Sequence, residues 1–374
     1  MRTGKAIQAG RGGQWLLRTV SGGMLFAGCC AAGVLSYDVQ IIPPPTGITN
    51  PIYLTLNSSG QAAGYGNMAS GSGTQAIIGM TSGSVAVPIP LKFLTSSALG
   101  INDAAEVSGV AFNSTGREPF AGTASGSAAL PSPPGEAFCS AQSINNSGQA
   151  GLDCGEAVYI GTASGTTPIP FAAGASAMTL QGINDTGEVT GTAVFPGGMQ
   201  QAYIGTTSGV TLVPLPAGII RTQGFAINAS GEVAGLAFDA GGHQAVFIGN
   251  TTSSMVLPEP PGASFATADQ GSINSAGTVV GGSTMGGWIW DAADGTQLLN
   301  GFVPAGWNIS RAFSINDSGQ ILALGTEGGI SNWVLLTPQE STPEPASYLF
   351  VGAALLLGIS APVRRGSSGR SNRS

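Results

Sequence analysis

Between residues 46 and 337 apolar and polar positions alternate in short runs, interrupted at regular intervals by Asn, Gly and Ser. One nine-residue pattern recurs through them, best formed in Ile183-Asn184-Asp185-Thr186-Gly187-Glu188-Val189-Thr190-Gly191. Its Asn anchors are Asn57, Asn102, Asn145, Asn184, Asn228, Asn274 and Asn316, spaced 39 to 46 residues apart. Asn at the first corner and Gly three residues later suit a type I turn, with Gly supplying a positive φ at the fourth corner. Gly60, Gly148, Gly187, Gly231, Gly277 and Gly319 obey the rule, and Ala105 departs from it. An apolar run precedes each turn and a period-two run follows it, so the pattern predicts a β-hairpin with one buried face. A second Gly stands seven residues after the Asn in five copies (Gly64, Gly109, Gly191, Gly235, Gly281). It predicts a position where a side chain would meet neighbouring backbone.

Two further runs complete each unit. A third strand is expected at segments such as Gln201-Ala202-Tyr203-Ile204-Gly205, and a fourth after a Thr/Ser/Gly turn, ending in Pro as in Val213-Pro214-Leu215-Pro216. Proline cannot donate to a ladder, which places the fourth strand at the sheet edge. Four strands in a recurring unit predict an all-β, seven-bladed β-propeller. The seventh unit runs out after its third strand, while Tyr37 to Pro45, ahead of the first hairpin, have the character of a Pro-ended fourth strand. An N-terminal strand completing the last blade would leave no open edge. An open β-solenoid or a β-sandwich is the alternative, and neither accounts for that extra strand.

Composition agrees with a β-rich exported protein. Gly (60) and Pro (23) are abundant and charged residues make up only 8% of 374. Gly and Pro excess without a period would signal disorder, but here the period is present. Between Asp38 and Glu340 four basic side chains (Lys92, Arg117, Arg221, Arg311) face eighteen acidic ones, a balance of −14. Phosphate backbones require clustered cations, so nucleic acid is excluded as a partner class.

The ends carry a different pattern. Arg2, Lys5, Arg11 and Arg18 precede an uncharged stretch with an apolar centre from Met24 to Leu35, which reads as a secretory signal over residues 1–36. The repeats then fill 37–337. A linker over 338–345 carries Pro343-Glu344-Pro345, and 346–374 form an uncharged apolar segment to Val363 followed by Arg364-Arg365 and a short tail. Eighteen apolar residues approach the length of a membrane-spanning helix, and the arginines would stay cytoplasmic. The residues alone indicate a C-terminal hydrophobic helix, a membrane anchor for an exported body. Pro-Glu-Pro, apolar span and Arg cluster in this order resemble the PEP-CTERM sorting signal of Gram-negative bacteria. That resemblance implies Pro343, Glu344, Pro345, Arg364 and Arg365 as the sorting motif, an exosortase-type enzyme as partner, a transient anchoring in the inner membrane, and a mature protein released or attached at the cell surface.

The repeats themselves, Ile-Asn-Asp-x-Gly-x-Val-x-Gly followed by a short Ala-aromatic strand, are similar to the extracellular HAF-repeat family over residues 46–337. Gln201-Ala202-Tyr203 and Gln244-Ala245-Val246-Phe247 stand in place of that family's His-Ala-Phe. The resemblance implies the repeat fold and the extracellular setting and brings no biochemical activity with it.

Cys29 and Cys30 fall inside the signal. Cys139 and Cys154 flank the third hairpin and would face each other across a two-residue loop at Asn146-Ser147 unless a bulge moved them to a diagonal. In an exported protein a disulfide is the expected pairing, with buried thiols the alternative. His243 is the single histidine, without a nucleophile motif beside it. Asp103, Asp185 and Asp317 occupy equivalent turn positions, where Ser58, Asn146, Ala229 and Ser275 stand in the other units, so turn preference explains them better than catalysis. Asp291-Ala292-Ala293-Asp294-Gly295 lacks the carboxylate alternation of a calcium loop. Trp288, Trp290 and Trp333 read as packing residues, and Trp307 as a loop residue able to stack on sugar or peptide. No catalytic set, metal site or cofactor is expected. The expected role is a non-enzymatic binding or structural module at the cell surface or in the extracellular matrix, with extracellular polysaccharide as a partner class. A secreted glycosidase or lyase on the same scaffold is the alternative.

Overall fold

A computed structural model describes residues 35–339. Within them every regular element is a β-strand except one 3-10 turn at Leu299–Gly301. Residues 1–34 of the signal stretch and the C-terminal segment with Pro343, Glu344, Pro345, Arg364 and Arg365 lie outside the described residues. Among the described residues no helix is long and apolar enough to cross a membrane.

Each unit forms an antiparallel meander. In the fourth, strands Ala177–Ile183, Val189–Val194, Gln200–Thr206 and Gly209–Leu212 pair in chain order. Five such four-stranded sheets are separate, and the remaining strands form one eight-stranded sheet. That sheet contains the sixth unit (Ala266–Thr267, Val279–Ser283, Gly286–Asp291, Gly295–Leu298) and the seventh (Trp307–Ile315, Ile321–Glu327, Ile330–Pro338), bridged by the single pair Gly282 and Arg311. The N-terminal strand Tyr37–Ile41 lies antiparallel to Ile330–Pro338, with Val39 opposite Leu336 and Ile41 opposite Val334. The Ile42 amide extends the ladder to the Trp333 carbonyl at 2.8 Å.

The core sits where neighbouring units meet. Val158, Ile160 and Ile169 of the third unit pack with Met178, Leu180 and Tyr203 of the fourth. Tyr53 and Ile77 of the first unit pack with Leu322 and Leu335 of the seventh. Single sheets cannot bury both faces, so stacking between units supplies the apolar burial that holds each sheet.

Three local features depart from the sequence pattern. First, in six units the first strand slips register three residues before the Asn, at Leu54, Leu99, Gln142, Gln181, Phe225 and Phe313. A bulge of this kind bends the strand and breaks strict alternation. Second, the turn is longer than two residues. Ile183 pairs with Val189, and within that loop the Gly187 amide donates to the Asn184 carbonyl and the Asn184 amide to the Glu188 carbonyl. Third, four of the prolines lie just beyond the fourth strands. The carbonyls of Pro43, Pro88, Pro214 and Pro258 accept from the hydroxyls of Ser84, Ser127, Ser254 and Thr296 in the following unit.

The bulge and the longer turn compensate at the third hairpin. Ile144 pairs with Ala150, the slip at Gln142 shifts the register, and Ser140 then faces Asp153. Cys139 and Cys154 follow directly and are joined by a disulfide, with Cα atoms 4.1 Å apart and a sequence separation of 15. Both are buried. Closing a loop of this length restricts the unfolded chain by about 3 kcal/mol. The Cys139→Ala/Cys154→Ala double variant should lose about that much stability in a urea titration, and an unchanged midpoint would contradict it.

The turn glycines all have positive φ, 73° to 81°, and Ala105 adopts the same conformation at 58°. A left-handed conformation costs a residue with a Cβ about 1–2 kcal/mol, partly offset because glycine is freer in the unfolded chain. Ala105→Gly should therefore stabilise the protein by about 0.5 kcal/mol. A lower melting temperature in the variant would show that Ala105 is not strained.

Candidate functional site

All seven anchor asparagines are buried. Asn184 shows what the burial accomplishes. Its Oδ1 accepts from the Thr186 amide (3.2 Å), the Thr186 hydroxyl (2.8 Å) and the Glu188 amide (2.9 Å), which fixes the turn. Its Nδ2 donates to Glu188 Oε2 at 2.8 Å and, in the next unit, to the Asn228 carbonyl at 3.0 Å. The same donor-to-carbonyl step runs from Asn57 to Asn102, Asn102 to Asn145, Asn145 to Asn184, Asn228 to Asn274 and Asn274 to Asn316, at 3.0 to 3.3 Å. From Asn316 it runs to the Asn57 carbonyl, at 3.0 Å.

The residue after each Asn forms a second layer. Asp103 accepts from the Ser58 amide, Asn146 from the Asp103 amide, and Asp185 from the Asn146 amide, each at 2.8 Å. The Asn146 side-chain amide then bridges the second oxygens of Asp103 and Asp185, both at 2.9 Å. Asp317 receives the Ser275 amide at 2.7 Å and its hydroxyl at 2.8 Å. Ala229 has no side-chain acceptor and interrupts the layer. Partial burial alone would raise the Asp103 pKa, but hydrogen bonds from Ser58 and Asn146 outweigh it and hold the carboxyl below its ordinary value.

The two layers themselves line a cavity of about 220 Å³, to which all seven units contribute. Leu56, Ile101, Ile144, Ile183, Ile227, Ile273 and Ile315, each directly before its Asn, give it an aliphatic wall. Deeper in, the Gln270 side-chain amide reaches the carbonyl of Gln142, three units away in the chain. The three aspartates expected as turn residues therefore share one mouth with the asparagines, and each accepts hydrogen bonds from a neighbouring unit.

The other candidate groups are dispersed. His243 Nε2 stands 3.1 Å from Glu259 Oε1 on an exposed connection. Asp153, beside the disulfide, accepts from the Gly155 and Leu180 amides at 2.8 and 3.1 Å. Burial raises its pKa against those two hydrogen bonds and the charge of Arg117. Trp288 is buried and donates to the Gly282 carbonyl, while Trp333 packs edge-on to Tyr53 at 5.7 Å. Trp307 differs from expectation: it is the first residue of a strand, partly buried against the core of the sixth and seventh units. Among the described residues no three His, Cys, Asp or Glu side chains are grouped to hold a metal ion.

No protein-family model and no curated protein matches the chain. Similarity appears at the level of solved structures. A structure of YCF48 bound to D1 peptide aligns with a TM-score of 0.52 and 12% identity, covering 83% of this chain and 97% of that one. TolB from Acinetobacter baumannii gives 0.37 at 13% identity over 79% and 66% of the two chains, and BP39L lectin from Burkholderia pseudomallei gives 0.35 at 13% over 80% and 97%. The first of these likenesses, together with the successive four-stranded meanders, establishes an all-β, propeller-like fold.

Proposed function

We propose that this chain is an exported repeat protein whose body is a closed seven-bladed propeller, working at the cell surface or in the extracellular matrix as a non-enzymatic binding or structural module. One observation carries the non-enzymatic reading. The carboxylates at the central mouth, Asp103, Asp185 and Asp317, accept hydrogen bonds from neighbouring units, and the neighbouring pair Asp103 and Asp185 is joined through the Asn146 amide, which engages both as acceptors and leaves neither as the acid of an acid–base pair. Closure is supported by the Asn316 to Asn57 step and by the pairing of Tyr37–Ile41 with Ile330–Pro338. The buried Cys139–Cys154 cystine favours an oxidising compartment.

In this reading the HAF-like repeats make up the body and Pro343-Glu344-Pro345 with Arg364-Arg365 forms a PEP-CTERM signal. An exosortase-type enzyme handles the signal after transient anchoring in the inner membrane, and extracellular polysaccharide is the partner class. Cell fractionation with intact mass of the full chain, and of a variant ending at Thr342, tests it. The full chain should reach the surface or medium with its N-terminal signal removed, and the shortened one should be missorted. Full-mass protein retained in the cytoplasm would overturn it. Polysaccharide hydrolysis abolished by Asp185→Asn would replace the module with a carbohydrate-active enzyme.

A further inference from the structure

The junctions between units share one construction on the face of the Asn turns. Each is bordered by the residue four after the Asn, the end of the third strand, and the turns of the following unit. Two of these junctions can be compared position by position. Between the first and second units the border is Gln61, Ile78, Met80, Ala104, Ala105, Thr123 and Ala124, enclosing about 200 Å³. There the Gln61 amide points at the Met80 sulfur at 3.4 Å. Between the third and fourth units Gln149, Ile160, Thr162, Thr186, Gly187, Thr206 and Thr207 take the same places, and the groove opens to about 460 Å³.

The exchange of Met80 for Thr162 removes the side chain that fills the first groove. It also changes the chemistry of the second. Thr166, Thr167 and Thr207 line that groove with hydroxyls that bond to none of the described residues. Gln149 is oriented because its Oε1 accepts from Asn145 Nδ2 at 2.9 Å, leaving Nε2 without an acceptor among the described residues. Ile160 is buried and gives the groove an apolar wall. No charged side chain lines it. Glu106, Glu188 and Glu232 occupy the position of Gln149 in the second, fourth and fifth units, so those junctions carry a carboxylate there.

We propose that the groove between the third and fourth units is a binding site for a neutral sugar unit of a polysaccharide. Its volume is that of a small-molecule site. Hydroxyls and one amide can donate to and accept from a ring of hydroxyl groups, while Ile160 and the threonine methyls meet the C–H face. An anion would need cations, and Lys92, Arg117 and Arg221 all lie near the strand ends opposite the Asn turns. A metal ion would need carboxylates, which the lining lacks. The proposal rests on the binding-module reading and narrows its partner to one chemistry and one junction.

The test applies the purified full-length protein to an array of neutral and acidic glycans and follows each neutral hit by calorimetry. Binding to at least one neutral glycan is expected. Thr162→Met, which copies the filled junction, should weaken it at least tenfold, and Gln149→Glu should do the same if Thr162→Met fails to fold. A folded Met80→Ala variant, altered only at the first junction, should bind like the unaltered protein. No neutral glycan bound, or binding unchanged in folded Thr162→Met or Gln149→Glu, would overturn the proposal. An exported protein that binds no glycan would fail this test alone, whereas a cytoplasmic one that binds through Thr162 would fail only the export reading.

Discussion

Asn184→Ala should lower the stability of the protein by about 3 kcal/mol, seen as a fall in melting temperature of about ten degrees. The residue makes five hydrogen bonds from a buried position, three within its turn and two through Nδ2, one of them to the next unit. Each neutral bond contributes about 1 kcal/mol net, and a partner left buried and unpaired costs about 1–3 kcal/mol. The Asn228 carbonyl keeps the Gly231 amide as a donor, which moderates the loss. Asn184→Asp separates the two roles. Aspartate is as good a turn residue as asparagine, so a role confined to the turn predicts a near-neutral change. In the linked arrangement the new carboxylate oxygen faces the Asn228 carbonyl and the Glu188 carboxylate, and the variant should be at least as unstable as the alanine one at neutral pH. A loss below about 1 kcal/mol for both would remove the asparagine steps as a source of stability.

The sequence announced these asparagines as turn residues, and the structure adds a function that spacing could not express. Periodicity reports where a residue stands within its unit. It does not report that Asn57 and Asn102, 45 positions apart, lie within one hydrogen bond of each other. Strand number and order were legible for the same reason, since alternation and turn chemistry are local. The edge position of the fourth strand followed from its prolines, although the strands end just before Pro88, Pro131, Pro214 and Pro258. The bulge before six of the asparagines left no mark in the pattern, because a two-residue period assumes an unbroken ladder. The groove between the third and fourth units was also hidden. Its signal is the difference between Met80 and Thr162, and that difference acquires meaning only when the two junctions are superposed.

Gly191→Ala should be among the most damaging single-methyl changes in the body, because backbone occupies the space that the methyl would need. A Cβ at Gly191 would lie 1.9 Å from the Thr179 carbonyl oxygen and 3.0 Å from the Leu180 Cα. That carbonyl is held in place, since it accepts the hydroxyl of the fully buried Tyr203 at 2.9 Å, and Tyr203 pairs across the ladder with Gly191. Overpacking usually costs about 1–3 kcal/mol when side chains can yield. Here the first strand would have to move and Tyr203 would lose its acceptor, so about 3 kcal/mol or more is expected. Gly64, Gly109, Gly235 and Gly281 stand in the same relation to Ile52, Ser97, Gln223 and Thr267, at 1.9 to 2.0 Å. The third and seventh units carry Leu152 and Ala323 at this position, opposite Ala141 and Ala312, so the clash belongs to the local path of the first strand. Ala323→Gly is the matched control and should cost about 0.5–1 kcal/mol, the ordinary penalty for glycine in a strand. Equal small losses for the two substitutions in urea titrations would mean that the Thr179 carbonyl can turn aside, and the glycine would then be dispensable.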